Sequence, residues 1–216
     1  MVIHDSTLDR TTDAVKRWGG KQLRVSSYSM DELRKLDAGS WFAPSFARQK
    51  LSELGEALDT IQAGSITLIE RKAGDAKSCA ELIREKKLIN QVVVQAFDWN
   101  YLRDYKKLEP TQVLAALGPS GSKDGRKLTD EEKQLGKEWV DEIHDIGVQV
   151  VAWNRSVDRD AVRYAHERGL KVWVYTIDEK SLAIELLRAG VDGIITNEPE
   201  KLRGIVAEYL ADRKNQ

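Results

Sequence analysis

The second half of the chain repeats one pattern of polar and apolar positions. DEIHDIGVQVVAW, YAHERGLKVWVYT and ELLRAGVDGIIT each read as a helix end, a glycine and a short apolar strand. Gly147, Gly169 and Gly190 suit the left-handed position just past a helix, where a side chain would be strained. They lie about one helix-plus-strand unit apart. Capping residues stand where the next helices should begin: Thr129 or Asp130, then Ser156, then Asp178. Leu135, Trp139, Val140, Ile143 and Ile146 form a helical apolar stripe ahead of the first unit.

Further back, ITLIERK (66–72), QVVVQAF (91–97) and QVLAALG (112–118) are three more strands, with a helix around Ser78–Lys87 between the first two. Strands are therefore expected near 66–71, 92–97, 112–117, 148–153, 171–176 and 193–196. Near-continuous apolar strands alternating with helices argue for a parallel sheet covered on its outer face. Six such units in succession fit a (β/α)8 TIM-type barrel better than an open doubly wound sheet. A complete barrel has eight strands and typically about 250 residues. The expectation is a single α/β barrel domain over 1–216, truncated at its N-terminus so that about six of eight strands are present. GPSGSKDGRK (118–127) reads as a solvated loop. Ser29 caps a helix within Ser26–Trp41, with Glu32 in its first turn, and another helix covers about Leu51–Gln62.

Charge narrows the function classes. Lys plus Arg nearly balances Asp plus Glu, leaving a net charge of −1. That gives no basic field for nucleic acid or for an anionic membrane. No apolar run approaches the roughly 20 residues of a membrane span, so a cytoplasmic protein is expected. The one cysteine, Cys79, precludes an internal disulfide and reads as a small apolar helix residue.

In a β/α barrel the active site lies at the C-terminal ends of the strands. Glu70 and Lys72 stand two apart at the end of ITLIERK, so both point to one face, with Ile66 and Leu68 continuing it. A carboxylate there can offer a hard oxygen to Mg2+ or Ca2+. The ammonium can meet a phosphoryl oxygen. A plain strand-end ion pair accounts for the same two residues equally well. Gln95 and Phe97 share one strand face, as do Trp173 and Tyr175, and such residues serve either as core or as substrate contacts. Asn154, Thr176 and Asn197 fall at strand ends, where short polar residues also cap helices. His144 and His166 each sit one turn before a helix-ending glycine and favour the helix dipole. His4 follows the terminus directly and reads by itself as a surface group.

Together, HDSTLDRTT, LDAGSWF, FARQKLSELGEAL, LIERKAG, VVVQAFDW, VWVYT and GVDGIITNEP resemble the glycerophosphodiester phosphodiesterase family, in the family's order and across essentially the whole chain. The resemblance implies a phosphatidylinositol-phospholipase-C-like barrel. It implies hydrolysis of glycerophosphodiesters to glycerol 3-phosphate and an alcohol, with Mg2+ or Ca2+. By position, His4 corresponds to a catalytic acid/base histidine, Glu70 to a metal ligand and Lys72 to the lysine that steadies the phosphate. Phe97 and Tyr175 correspond to the aromatic wall beside the glycerol, where the family more often has Trp at the latter. Ala96 replaces a commoner Ser.

The family's His-Arg-Gly and Glu-x-Asp motifs, which carry the other histidine, an arginine and further carboxylates, have no counterpart in these 216 residues. One Glu is a poor hold for Mg2+ against its hydration shell. A weak or inactive chain is therefore expected, prone to self-association through exposed barrel edges. A non-catalytic short form that binds a partner is the alternative. An aldolase-type barrel using Lys72 as a Schiff-base amine is disfavoured, because the neighbouring acid raises rather than lowers an amine's pKa. The opening MVIHDSTLDRTTD reads as the tail of a β-hairpin.

Overall fold

The computed structural model describes residues 1–62, 64–123 and 125–214. The backbone divides into two compact units, residues 1–67 and the chain from Leu68 onward.

The first unit is mostly turns and short helices: α1 (Ala14–Trp18), α2 (Met30–Leu33) and α3 (Leu54–Ile61). Leu8, Ala14, Leu33, Leu36 and Leu51 form its core, with Trp18 stacked on Tyr28 at 4.5 Å beside it. Carboxylate-to-backbone hydrogen bonds take the place of regular secondary structure here. Asp9 accepts from the amides of Gln22 and Leu23, and Asp13 from that of Asp37. Ser29 caps α2 as expected, closing a capping box with Glu32. The opening stretch departs from expectation: the described residues show no hairpin there, only a single antiparallel bridge between Thr7 and Arg24.

The second unit is built on β1 (Thr67–Arg71), β2 (Val92–Ala96), β3 (Val113–Gly118), β4 (Val150–Trp153), β5 (Lys171–Val174) and β6 (Gly193–Ile194). All six lie in one sheet in chain order, and the pairs from β2 to β6 are parallel. Helices α4 (Ala76–Glu85), α5 (Trp99–Leu108), α6 (Lys137–His144), α7 (Arg159–Glu167) and α8 (Lys180–Ala189) make the crossovers, and α9 (Pro199–Lys214) follows β6. This is the strand–helix alternation expected from the sequence, with six strands in a curled parallel sheet.

Side-chain alternation divides the sheet cleanly. Val94, Leu114, Ala116, Val151, Trp153, Val172 and Val174 are fully buried on the helix-covered side. Ala115, Leu117, Val150 and Ala152 form the opposite, concave face, joined by Val93, Trp173 and Tyr175. Gln95 pairs in register with Ala115 and so shares that face. Small residues there let the sheet curl. Phe97 and Tyr175, just beyond β2 and β5, bring their rings to 6.2 Å. Three strand spacings on a flat sheet would separate those strands by about 14 Å.

The three glycines after helices take positive φ as expected: 81° at Gly147, 75° at Gly169 and 103° at Gly190. The proposed caps shift. Thr129 closes its box with Glu132 on an isolated turn, and α6 starts later, after Gly136. Asp158 rather than Ser156 caps α7. Asp178 binds Thr196 and Asn197 across the sheet end instead of capping α8. The 118–127 stretch is not a plain loop: Ser122–Lys123 and Arg126–Lys127 pair as a two-stranded ribbon. Ile66 is 68% exposed, so the apolar row leading to Glu70 begins at Leu68.

Candidate functional site

The end of β1 is set by residues on its two faces. Arg71 points to the helix side: its guanidinium reaches the Asp98 carboxylate at 3.0 Å, donates to the Gly74 carbonyl and lies 4.9 Å over the Tyr101 ring. Asp98 in turn caps α5 through the amides of Asn100 and Tyr101. With Arg71 anchored there, alternation turns Glu70 and Lys72 to the concave side. The Lys72 ammonium donates to Glu70 Oε1 at 2.5 Å, and both side chains are about one-third exposed.

Tyr175 stands across the concave face. Its hydroxyl donates to the Gly118 carbonyl at 2.8 Å. Burial, together with the nearby Glu70 charge, pushes its phenol above the ordinary tyrosine range. It is a neutral ring at any working pH. Phe97 meets it edge-on at 88° and is 42% exposed. Trp173 lies deeper and packs on Gly193, where an added Cβ would come within 2.7 Å of the indole. Gln95 is 94% buried, and its amide oxygen has no hydrogen-bond partner among the described residues. A buried carbonyl without a donor costs free energy.

Glu70, Lys72, Gln95, Phe97, Trp173 and Tyr175 therefore all belong to the concave face and C-terminal rim of one sheet. His4 belongs to the first unit, where its exposed ring meets Asp5 at 2.8 Å, and Arg10 grips the same carboxylate. Those two partners hold the Asp5 carboxyl well below the usual carboxylate range, Arg10 the more strongly. His144 and His166 end their helices as expected, His166 bonded to Asp192 at 2.8 Å. Cys79 is partly buried, and desolvation raises its thiol above the ordinary value, which fits an unreactive packing residue.

The oxygen donors at the rim do not make a divalent-cation site. Glu70 is already engaged by an ammonium, and no group of three His, Cys, Asp or Glu suited to a metal occurs among the described residues. Mg2+ requires near-octahedral oxygen ligation. These residues do not fit it.

A parallel sheet wound with helices, carrying a charged pair and an aromatic wall at its C-terminal rim, defines a β/α-barrel class of protein. Within that class the chain belongs to the glycerophosphoryl diester phosphodiesterase family, whose model matches residues 1–201. It is 27% identical over 213 residues to the glycerophosphodiester phosphodiesterase of Caldanaerobacter subterraneus subsp. tengcongensis, covering 95% of this chain and 79% of that one. A Bacillus subtilis glycerophosphodiester phosphodiesterase is 27% identical over 228 residues, covering 97% and 72%. Among solved structures, an Oleispira antarctica phosphodiesterase in complex with the product sn-glycerol-3-phosphate superposes with a TM-score of 0.72 at 21% identity, covering 95% of this chain and 78% of its own. A glycerophosphodiester phosphodiesterase from Agrobacterium tumefaciens has a TM-score of 0.69 at 20% identity, covering 91% and 77%. These likenesses show the barrel fold. No helix among the described residues is long and apolar enough to cross a membrane.

The sequence did not point to one neighbouring group. Lys123, Trp139 and Glu142 meet in a cleft beside Phe97. Trp139 and Glu142 stand three apart on α6, a spacing that puts them on one helix face, and this was the available signal.

Proposed function

We propose that the concave rim of the second unit binds the glycerol-phosphate part of a glycerophosphodiester, and that these 216 residues hydrolyse it weakly or not at all. The observation that carries this is the Lys72–Glu70 pair facing the Phe97–Tyr175 wall. Lys72 opposes the phosphoryl charge, and Glu70 holds the ammonium toward the concave side. The two rings pack against the glycerol carbons, and Gln95 Oε1 accepts from a glycerol hydroxyl. Trp173 supports the floor. The product complex of the Oleispira antarctica relative supports the choice of ligand.

His4 is assigned as the acid/base group by its place in the HDSTLDRTT motif. Asp5 orients its ring through Nδ1, leaving Nε2 for proton transfer. One histidine would then both accept and deliver protons that two groups commonly share. We read Glu70 as the family's metal-ligating carboxylate; bonded to Lys72, and in no group of three His, Cys, Asp or Glu among the described residues, it is a poor hold for Mg2+ or Ca2+.

We read both units as parts of one family domain, since the family match runs across them. Among the described residues the end strands β1 and β6 each have a single strand neighbour, which we take as the route to self-association. Sedimentation velocity over a concentration series checks that point. For function, the test is release of glycerol 3-phosphate from glycerophosphocholine by chain of verified intact mass, with Mg2+ or Ca2+. A rate near background is expected. Turnover near the ~10 s⁻¹ of a median enzyme would overturn the proposal.

A further inference from the structure

Beside Phe97, the start of α5, the end of β3 and one face of α6 enclose a cleft of about 260 Å³. Its walls include Asp98, Arg103, Lys123, Trp139 and Glu142. The Lys123 ammonium sits 4.0 Å over the Trp139 ring and donates to the Glu142 carboxylate at 2.6 Å. Trp99 meets Trp139 edge-on at 5.7 Å and 89°, with its indole N–H tied to the Leu117 carbonyl, so the Trp139 face is held in place.

A ring face with a carboxylate beside it is the arrangement that recognises an organic cation. Here the chain fills that arrangement with its own ammonium. We propose that this cleft is a subsite for the alcohol part of a cationic glycerophosphodiester, an alkylammonium alcohol, and that the Lys123 side chain occupies it in the free protein.

The position of Glu142 favours this ligand. Asp98 is already paired with Arg71 and caps α5. Once the Lys123 side chain swings out, Glu142 loses its ammonium partner beside the Trp139 ring face, and it is the carboxylate left for an incoming cation. Lys123 is 40% exposed along its side chain and stands on the short ribbon, so it can leave without unpacking the core.

Position links the cleft to the proposed phosphate site. Phe97 lines the cleft and also meets Tyr175, so an alcohol in the cleft lies next to the glycerol wall. Only this link rests on the function proposed above. Recognition of the cation does not need the phosphate.

The experiment titrates choline chloride, and separately its uncharged isostere 3,3-dimethylbutan-1-ol, into wild-type chain, K123A, K123Q and K123A/E142Q, followed by saturation-transfer NMR. Freeing the ring and carboxylate should tighten choline about tenfold in K123A and K123Q, as a partly desolvated cation–π site with a carboxylate allows. The isostere should gain nothing, and E142Q should reverse the gain. K123Q guards against a misfolded alanine variant. Equal choline affinity in wild type and both Lys123 variants would overturn the subsite. So would an equal gain for the isostere, or a gain that survives E142Q. Glycerol 3-phosphate titrated in parallel separates the two proposals. A choline gain without glycerol 3-phosphate binding keeps the cation cleft and removes the phosphodiester reading. Glycerol 3-phosphate binding without a choline gain does the reverse.

Discussion

Lys72 and Glu70, two residues apart at the end of β1, share a 2.5 Å charge-assisted hydrogen bond on the concave side of the sheet, while Arg71 between them is anchored on the helix side. The pair is partly solvated, and such pairs contribute about 0–1 kcal/mol to stability. Its value lies in aiming an ammonium at a ligand. Lys72→Met is therefore expected to weaken glycerol 3-phosphate binding about tenfold or more, the cost of a hydrogen bond to a charged group. Tm should move by less than about 4 °C. Calorimetric titration and a thermal melt read the two quantities separately. A large fall in Tm with unchanged affinity would make the pair purely structural.

Gln95 carries the opposite expectation for stability. Its buried amide oxygen has no partner among the described residues, so Gln95→Leu removes an unsatisfied polar group and should leave stability unchanged or raise it. The same variant should bind glycerol 3-phosphate more weakly, because a hydroxyl loses its acceptor. Destabilisation by more than about 1 kcal/mol in urea melts would show that the amide already has a partner.

Two glycines give a contrast in sign. Gly118→Ala would place a Cβ 2.1 Å from the fully buried Trp153 ring, whose N–H is fixed to the Lys133 carbonyl. Overpacking there should cost about 1–3 kcal/mol. Gly204 sits within α9 with nothing near its missing Cβ, and Gly204→Ala should stabilise by about 0.5–1 kcal/mol. Urea denaturation of the two variants checks both directions.

Acid should loosen the first unit through Asp37. The Ser40 hydroxyl and amide, then the Arg48 and Gly39 amides, all donate to its carboxylate and hold its pKa well below the usual range. A carboxyl depressed in the folded state contributes stability that is fully present above the unfolded value near 3.9. That stability is lost as pH falls through the lower folded value. Wild-type Tm should thus drop steeply below about pH 4. Asp37→Asn should be less stable at pH 7 and show a flatter acid limb. Melts of both proteins from pH 7 to 3 measure it, and parallel curves would remove Asp37 as the cause.

The strands were legible in the sequence because each is a short, nearly continuous apolar run, and residues such as Val94, Val151 and Val174 are buried wherever the run continues. Helix ends were read less well. Thr129, Ser156 and Asp178 all have cap chemistry, but Thr129 serves an isolated turn and Asp178 bonds to Thr196 and Asn197. A local rule cannot see a competing partner 18 residues away. The candidate site was legible where strand parity decides, as with Glu70 and Lys72. It was not legible where distant elements meet. The closeness of Phe97 to Tyr175 depends on sheet curl. The unpartnered Gln95 oxygen and the seating of Lys123 on Trp139 depend on packing that no periodicity encodes.

The most direct measurement is calorimetric titration of glycerol 3-phosphate into the wild-type chain, first in EDTA and then in Mg2+. A phosphate site made by Lys72 and an aromatic wall, without a carboxylate set that holds metal, should show saturable binding in EDTA that Mg2+ leaves essentially unchanged. Absence of binding in EDTA, or a tightening of tenfold or more on adding Mg2+, would contradict it.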